Sequence, residues 1–354
     1  MKLYLSAALL LAYLIVSSSC KESITDSRPR IIRPPQEMIW TADTIKGIGT
    51  ATQLLPENLL VFAPNDAWLV CWSDIARGLI WHFDGKNWNE SNIAADVGGM
   101  RVRDIAGYSS RDLWVCGYTG DEIFLAHYDG SSWTKYNTNG IKGDLLDMCK
   151  DADGNLWACG RKGMIMKWDK TKWIYETFKT PTFPNSEFFF KSVASFGNKT
   201  HLLLTTIRET PWLEKYYYIA GHTNNWNAVD SIIIDSPSTK IKWGYRGLHS
   251  GISLWSHGIF GLWQYDGNNW IQKLSINNAI DCLYESTSDY LIVVGDSKTA
   301  MHFNGTNWIN ISSIFNISDH SFIFRNVWTN GYETFICGYG NFGAKEKLVV
   351  WRGK

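Results

Sequence analysis

Four basic residues recur at one place in a set of similar short segments: Arg103 in RVRDIAG, Lys191 in FKSVAS, Arg246 in YRGLHS and Arg325 in FRNVWT. Guanidinium forks and an ammonium gathered at one level suit a carboxylate, sulfate or phosphate group. The next position along holds Asp104, Asp147 and, in this alignment, Asp281. Neighbouring strand positions face opposite sides. A cation on one segment can therefore meet a carboxylate on the adjoining one, Lys191 with Asp147 or Arg325 with Asp281. A belt of ion pairs is the plainer reading of these residues, and an anion-binding ring the functional one. Arg77, Arg161 and Arg208 fall in connections expected to open on the same side, which adds weight to the second reading. Trp212 sits in the longest insertion, TTIRETPWLEKYYY, which reads as an extended loop with Trp212 as a contact residue.

The remaining chemistry-bearing residues point to packing. Cys71, Cys116, Cys159 and Cys337 fall in the same place of similar apolar segments. Equivalent positions on stacked sheets lie about 10 Å apart, whereas a disulfide wants Cα atoms within roughly 7 Å. They read as small buried residues, and no C-x-x-C pair suggests zinc. His82, His127 and His302 each precede a turn Asp or Asn by two residues. Spread over separate repeats they cannot converge on a metal, so no metal or cofactor is expected.

The elements that must position these residues come from internal repetition. A landmark Trp closes DGKNW (Trp88), DGSSW (Trp133), DKTKW (Trp173), HTNNW (Trp226), DGNNW (Trp270) and NGTNW (Trp308). Upstream of each lies a short apolar run: WLVCW, LWVCG, LWACG, LLLTT, SLWSH and LIVVG, with a seventh copy at TFICG. No segment after the first twenty residues keeps a 3.6-residue apolar period over three turns, so each copy reads as four short strands. The 318 residues from Glu37 to Lys354, shared among seven copies, leave about 45 each, the size of a propeller blade. The expected fold is all-β, a seven-bladed β-propeller of four-stranded antiparallel blades over residues 37–354. The seventh copy, ending in LVVWRGK, is one strand short, and EMIWTADTIK matches the missing outer strand. Trp40 then supplies the seventh landmark, and the strand around it should pair beside Leu348 to Trp351 and close the ring.

In the turn, Asp or Asn accepts backbone N–H bonds, Gly takes the positive φ, and Trp covers the hairpin against the next blade. This Y-D-G-S-S-W pattern is similar to the Asp-box hairpin of sialidase-like propellers, although here the Asp stands next to the Gly. The longer pattern, apolar-W-x-C-G followed by H-Y-D-G-x-x-W, resembles bacterial secreted propellers, a general type that the photosystem II assembly-factor propellers share. The resemblance implies a fold and a turn chemistry, and no catalytic residue.

Ahead of the repeats, Leu3 to Val16 form an apolar run behind Lys2 that ends at Ser17-Ser18-Ser19-Cys20. Such a run is shorter than the ~20 residues of a spanning helix. It resembles a bacterial lipoprotein signal over residues 1–20, with Cys20 as the lipidated residue and an address in the cell envelope, at the outer membrane or cell surface. Residues 21–36, rich in Pro and Arg, read as a flexible tether. Lys+Arg and Asp+Glu both number 34, so no net charge pulls the chain toward nucleic acid. The composition, 45% hydrophobic with 14% aromatic, excludes an unfolded chain.

These features fit a monomeric, lipid-anchored binding or scaffolding propeller that recognises a protein or glycan at its channel face. The alternative is a glycoside hydrolase or lyase of sialidase-like plan. That reading needs converging carboxylates or an Arg triad with a Tyr–Glu pair. The sequence assigns no acid and no nucleophile, so no catalytic residue is expected.

Overall fold

The computed structural model describes residues 32–45, 53–74, 78–176, 178, 186–209, 212–222, 225–234, 242–341 and 346–354. Cys20, the segment around it and Arg77 lie outside the described residues. Within them, 28 strands form seven four-stranded antiparallel sheets, six of them in simple sequence order from the inside out. The blades run from inner strand to outer strand as follows. Blade 1 spans Leu54–Ala63 to Trp88–Ser91, blade 2 Arg101–Ser109 to Trp133–Lys135, and blade 3 Leu145–Lys150 to Trp173–Glu176. Blade 4 spans Glu187–Phe196 to Asn225–Ile234, blade 5 Gly247–Ser250 to Trp270–Leu274, and blade 6 Ile280–Thr287 to Trp308–Asn310. Blade 7 begins at Ile323–Thr329, and its outer strand is Trp40–Ile45 from the other end of the domain. The fold is a seven-bladed β-propeller.

Local chemistry explains each blade. In the hairpin before the outer strand of blade 2, Asp129 Oδ1 accepts the Ser131 and Ser132 N–H groups at 2.8 and 2.9 Å. Those bonds, that from Ser132 first, hold the exposed carboxyl down at about 2. Gly130 takes φ +94°, which L side chains avoid. Asp84, Asp169, Asp266 and Asn304 accept the equivalent pair of N–H groups in blades 1, 3, 5 and 6. The landmark Trp then pairs across the hairpin with an aromatic in five blades, as Trp133 does with Tyr128.

The apolar core lies between blades, in seven clusters that each join two neighbours. Alternation within one strand divides the work. Trp68 and Val70 of blade 1 face blade 2, while Leu69 and Cys71 face blade 7. The landmark Trp packs on the preceding blade, not the next as expected: Trp133 meets Trp68 edge-on at 6.3 Å, and Trp173 meets Trp114 at 5.5 Å. Each such aromatic contact adds about 0.5–1.5 kcal/mol beyond the area it buries. The four cysteines are buried free thiols, but Cys71 stands one position beyond the other three. Cys71 pairs with Pro56 before a bulge, whereas Cys116, Cys159 and Cys337 pair with the residue after it.

Closure follows the expected register. Trp40 pairs with Gly353 and Ile45 with Leu348, so the outer strand of blade 7 comes from the start of the domain. The docked segment begins at Arg33, ahead of Glu37: Arg33 N–H donates to Gly331 O at 2.9 Å, and the Tyr290 hydroxyl donates to Arg33 O at 2.9 Å. The insertion from Thr205 to Tyr218 is not an extended loop. It lengthens the middle hairpin of blade 4, whose strands run Lys199–Glu209 and Trp212–His222.

Candidate functional site

Six inner strands carry a β-bulge at the same level, just inside the channel mouth. The extra residues are Glu57, Arg103, Leu146, Lys191, Asp281 and Arg325, and Arg246 precedes the inner strand of blade 5 at the equivalent place. A bulge turns its side chain off the strict alternation of the strand. The repeated bulge thereby aims six side chains at one ring, and Arg246 makes the seventh. In the W-x-C-G motif, the Gly makes room for this. A Cβ on Gly117 or Gly160 would lie 1.9 Å from the carbonyl oxygen of Arg101, at the start of the inner strand, or of Asp144, just before it.

The four expected cations share this ring, but Asp281 belongs to it as well and not to the position after it. Arg246 Nη1 lies 2.9 Å and Arg325 Nη1 3.3 Å from Asp281 Oδ1, and Arg246 also reaches Asp296 at 3.1 Å. Arg103 pairs with Glu57 at 3.0 Å and approaches Asp144 at 3.9 Å, with Arg161 on the same carboxylate at 3.8 Å. Burial pushes Asp144 and Asp281 up to about 6 against the pull of these guanidiniums. The pairing of Arg325 with Asp281 matches the expected belt. The pairing of Lys191 with Asp147 does not form, because Asp147 belongs to a deeper ring.

That deeper ring stitches blade to blade. Asp104 Oδ2 accepts Met148 N–H at 2.6 Å, Asp147 Oδ2 accepts Val193 N–H at 2.7 Å, and Ser192 Oγ accepts Leu248 N–H at 3.0 Å. Asn326 Nδ2 donates to Glu57 O at 3.3 Å, and Asn58 Nδ2 donates to Asp104. In blade 5 the position is Gly247, and the His257 imidazole of the adjacent strand occupies the space, with Nδ1 donating to Ile280 O at 3.0 Å. Asp104 and Asp147 are hydrogen-bonded to each other. Burial, with the Asp147 charge beside it, raises Asp104 well above the carboxylate range, and burial raises Asp147 as well, so the two carboxyls share a proton.

Arg161 stands at the mouth, half exposed, with its guanidinium 5.6 Å from the Phe189 ring. Arg208 lies within the second strand of blade 4 and not in a connection, and Trp212 begins the strand that follows. Lys191 has a different setting. Its Nζ is 5.9 Å from the Phe189 ring and 5.5 Å from the Tyr216 ring, and burial lowers its pKa. Tyr216 also stacks near Tyr245 at 4.5 Å and donates its hydroxyl to Glu214. Glu57, Asp144, Tyr216 and Tyr245 were not among the residues expected here. Glu57 was findable, since Glu57-Asn58 aligns with Arg103-Asp104.

The histidines pack as expected in two blades. His82 stacks on Trp68 and bonds Asp66 at 2.9 Å, and His127 lies on Trp114 and bonds Asp112 at 2.8 Å. Ser110 Oγ joins the first pair, 2.7 Å from Asp66 and 3.3 Å from His82 Nε2. This is no catalytic triad, because Asp66 and Ser110 meet the same ring nitrogen and the hydroxyl donates to the carboxylate. His302 is buried against Tyr290 at 4.4 Å.

The mouth opens on a cavity of about 580 Å³ lined by all seven inner strands. No family model and no curated protein matches the sequence. Among solved structures, the chain is similar to YCF48 bound to D1 peptide, with a TM-score of 0.58, 15% identity, and coverage of 92% of this chain and 96% of that one. YCF48 from Cyanidioschyzon merolae gives a TM-score of 0.55 at 14% identity, covering 87% and 98%. The WD40 repeats of RRP9 give 0.54 at 11% identity, covering 88% and 97%. These likenesses establish a shared propeller fold.

Proposed function

We propose that this chain is a lipid-anchored propeller of the cell envelope that captures a protein segment at its channel mouth. The observation that carries this reading is the bulge ring: seven blades direct one side chain each to a single polar opening on a closed scaffold. Its carboxylates Glu57 and Asp281 are engaged by Arg103, Arg246 and Arg325, which suits recognition better than acid–base work. The converging carboxylates Asp104 and Asp147 accept backbone N–H groups of the following blades. Glycoside hydrolysis would want its pair about 5–10 Å apart with room for a water or a sugar between them. The solved YCF48 holding a D1 peptide supports a peptide ligand by analogy of fold alone. The turn chemistry, close to an Asp-box in its Asp, Gly and Trp, is compatible with either ancestry.

Affinity capture from envelope extract by the full-length protein, beside a glycan array, tests this. A protein partner retained without sugar turnover is expected; specific sugar binding with turnover would overturn the reading. The anchor has its own test. Cys20→Ser should abolish labelling by a fatty acid and release the protein from membranes, and unchanged labelling would contradict it.

A further inference from the structure

We infer that the mouth sector built by blades 3 to 5 takes an acidic side chain of an extended partner peptide onto the Lys191 ammonium, with a neighbouring apolar residue of that peptide resting on Ile259 and Phe260. The inference rests on the protein-binding reading above and names the chemistry of the ligand.

Charge complementarity is the first support. Arg103, Arg246 and Arg325 each have a carboxylate within 3.3 Å. Lys191, in the same ring, has no ion pair and no hydrogen bond among the described residues; its neighbours are the Phe189 and Tyr216 rings. The carboxylate nearest in effect, Glu214, accepts the Tyr216 hydroxyl and favours the charged ammonium only from a distance. An ammonium with three unused donors, facing a cavity between aromatic walls, binds a single carboxylate more strongly than it would in open water. Burial lowers its pKa, which is the cost of leaving that charge unmatched.

The second support is backbone strain. Ile259 and Phe260 form the tip of the blade 5 hairpin on the mouth side, 38% and 46% exposed. Phe260 has φ +76°, while the other non-glycine residues with positive φ among those described are Asn, Lys and Ser. A bulky side chain in that region is unfavourable, and an exposed one recovers nothing by burial. A chain of neighbours links the tip to the ammonium. A Cβ on Gly258 would touch Arg246 at 3.1 Å, Arg246 follows Tyr245, and the Tyr245 ring lies 4.5 Å from the Tyr216 ring that flanks Lys191. An aromatic held strained at the rim of a polar opening suits an apolar anchor of a ligand.

The test uses full-length protein on an array of short peptides that pair Asp or Glu with Leu, Ile or Phe, against the same peptides with Asn or Gln in place of the acids. The acidic set should bind at least about tenfold more tightly than the amide set. Lys191→Met should abolish that preference and Lys191→Arg should keep it. Phe260→Gly should weaken binding by about tenfold while melting no lower than the parent, because glycine relieves the backbone. That pair of results separates a binding residue from a structural one. Equal binding of the amide set, or full binding by Lys191→Met, would overturn this inference and leave the protein-binding reading standing. Capture of sugars with no peptide bound would overturn both.

Discussion

Asp281 and Lys191 occupy the same ring and behave oppositely, one carboxylate held by two guanidiniums and one ammonium held by none. Asp281 has a side chain 2% exposed, whereas Arg246 and Arg325 are 37% and 35% exposed. Removing a partner from a fully buried pair costs about 3–5 kcal/mol, and exposure of the arginines reduces this. Arg246→Ala and Arg325→Ala should each cost about 1–3 kcal/mol, and Lys191→Met should be neutral or slightly stabilising, all read from denaturant melts. A large loss in Lys191→Met would mean that the ammonium holds the ring together after all. The Asp104–Asp147 pair gives a pH signature. Asp104 is raised in the folded state, so its contribution is complete below the unfolded carboxylate value of about 3.9 and is lost as pH rises through the folded value. Burial holds His201, His257 and His302 down at about 4, which acts the other way as pH falls from their ordinary range. The difference in melting temperature between the parent and Asp104→Asn removes that background. It should favour the parent most in acid and shrink steadily toward alkaline pH; a constant difference would contradict the shared proton.

A bulge is the element that sequence cannot announce, and it decides which residues reach the mouth. The repeats made the blades, the turn chemistry and the four cations legible, because identical local problems select identical residues. Asp281 was misplaced by one position and so was Cys71, since an inserted residue shifts the strand against its partner without leaving a compositional mark. The Thr205 to Tyr218 segment resembled a loop because Pro211 and Trp212 interrupt its alternation, yet paired strands run up to both sides of that point. Phe260 carried no repeat signal at all; only its backbone conformation singles it out. The recurrent spacing that sequence did offer, Gly after the strand Cys in three blades, now has a steric reason. Gly160→Ala would set a Cβ 1.9 Å from Asp144 O, and the overpacking should cost about 3 kcal/mol. A melting temperature equal to the parent would show that the inner strand yields without strain.

The propeller is a ring closed by the strand Trp40–Ile45, which pairs with the last strand, Glu346–Gly353. Trp40 is half-buried, packs edge-on to Phe315 at 5.0 Å and donates its indole N–H to Pro35 O at 2.8 Å. Trp40→Ala should therefore cost about 3 kcal/mol, the low end for a large aromatic. Deleting residues 37–45 should do worse, because the strand Glu346–Gly353 would be left as an apolar open edge. Retained solubility and melting temperature in that deletion would mean that the ring closes some other way. The central claim is that ligand capture occurs at the bulge ring. Hydrogen exchange of the full-length protein, alone and with its captured partner, tests it most directly. Slowed exchange is expected in the mouth ends of the inner strands, around Arg103, Lys191 and Arg246, and in the hairpin at Gly258 to Gly261. Protection confined to the turns at Asp84, Asp129 and Asp266 on the opposite rim, with the mouth unchanged, would contradict the account.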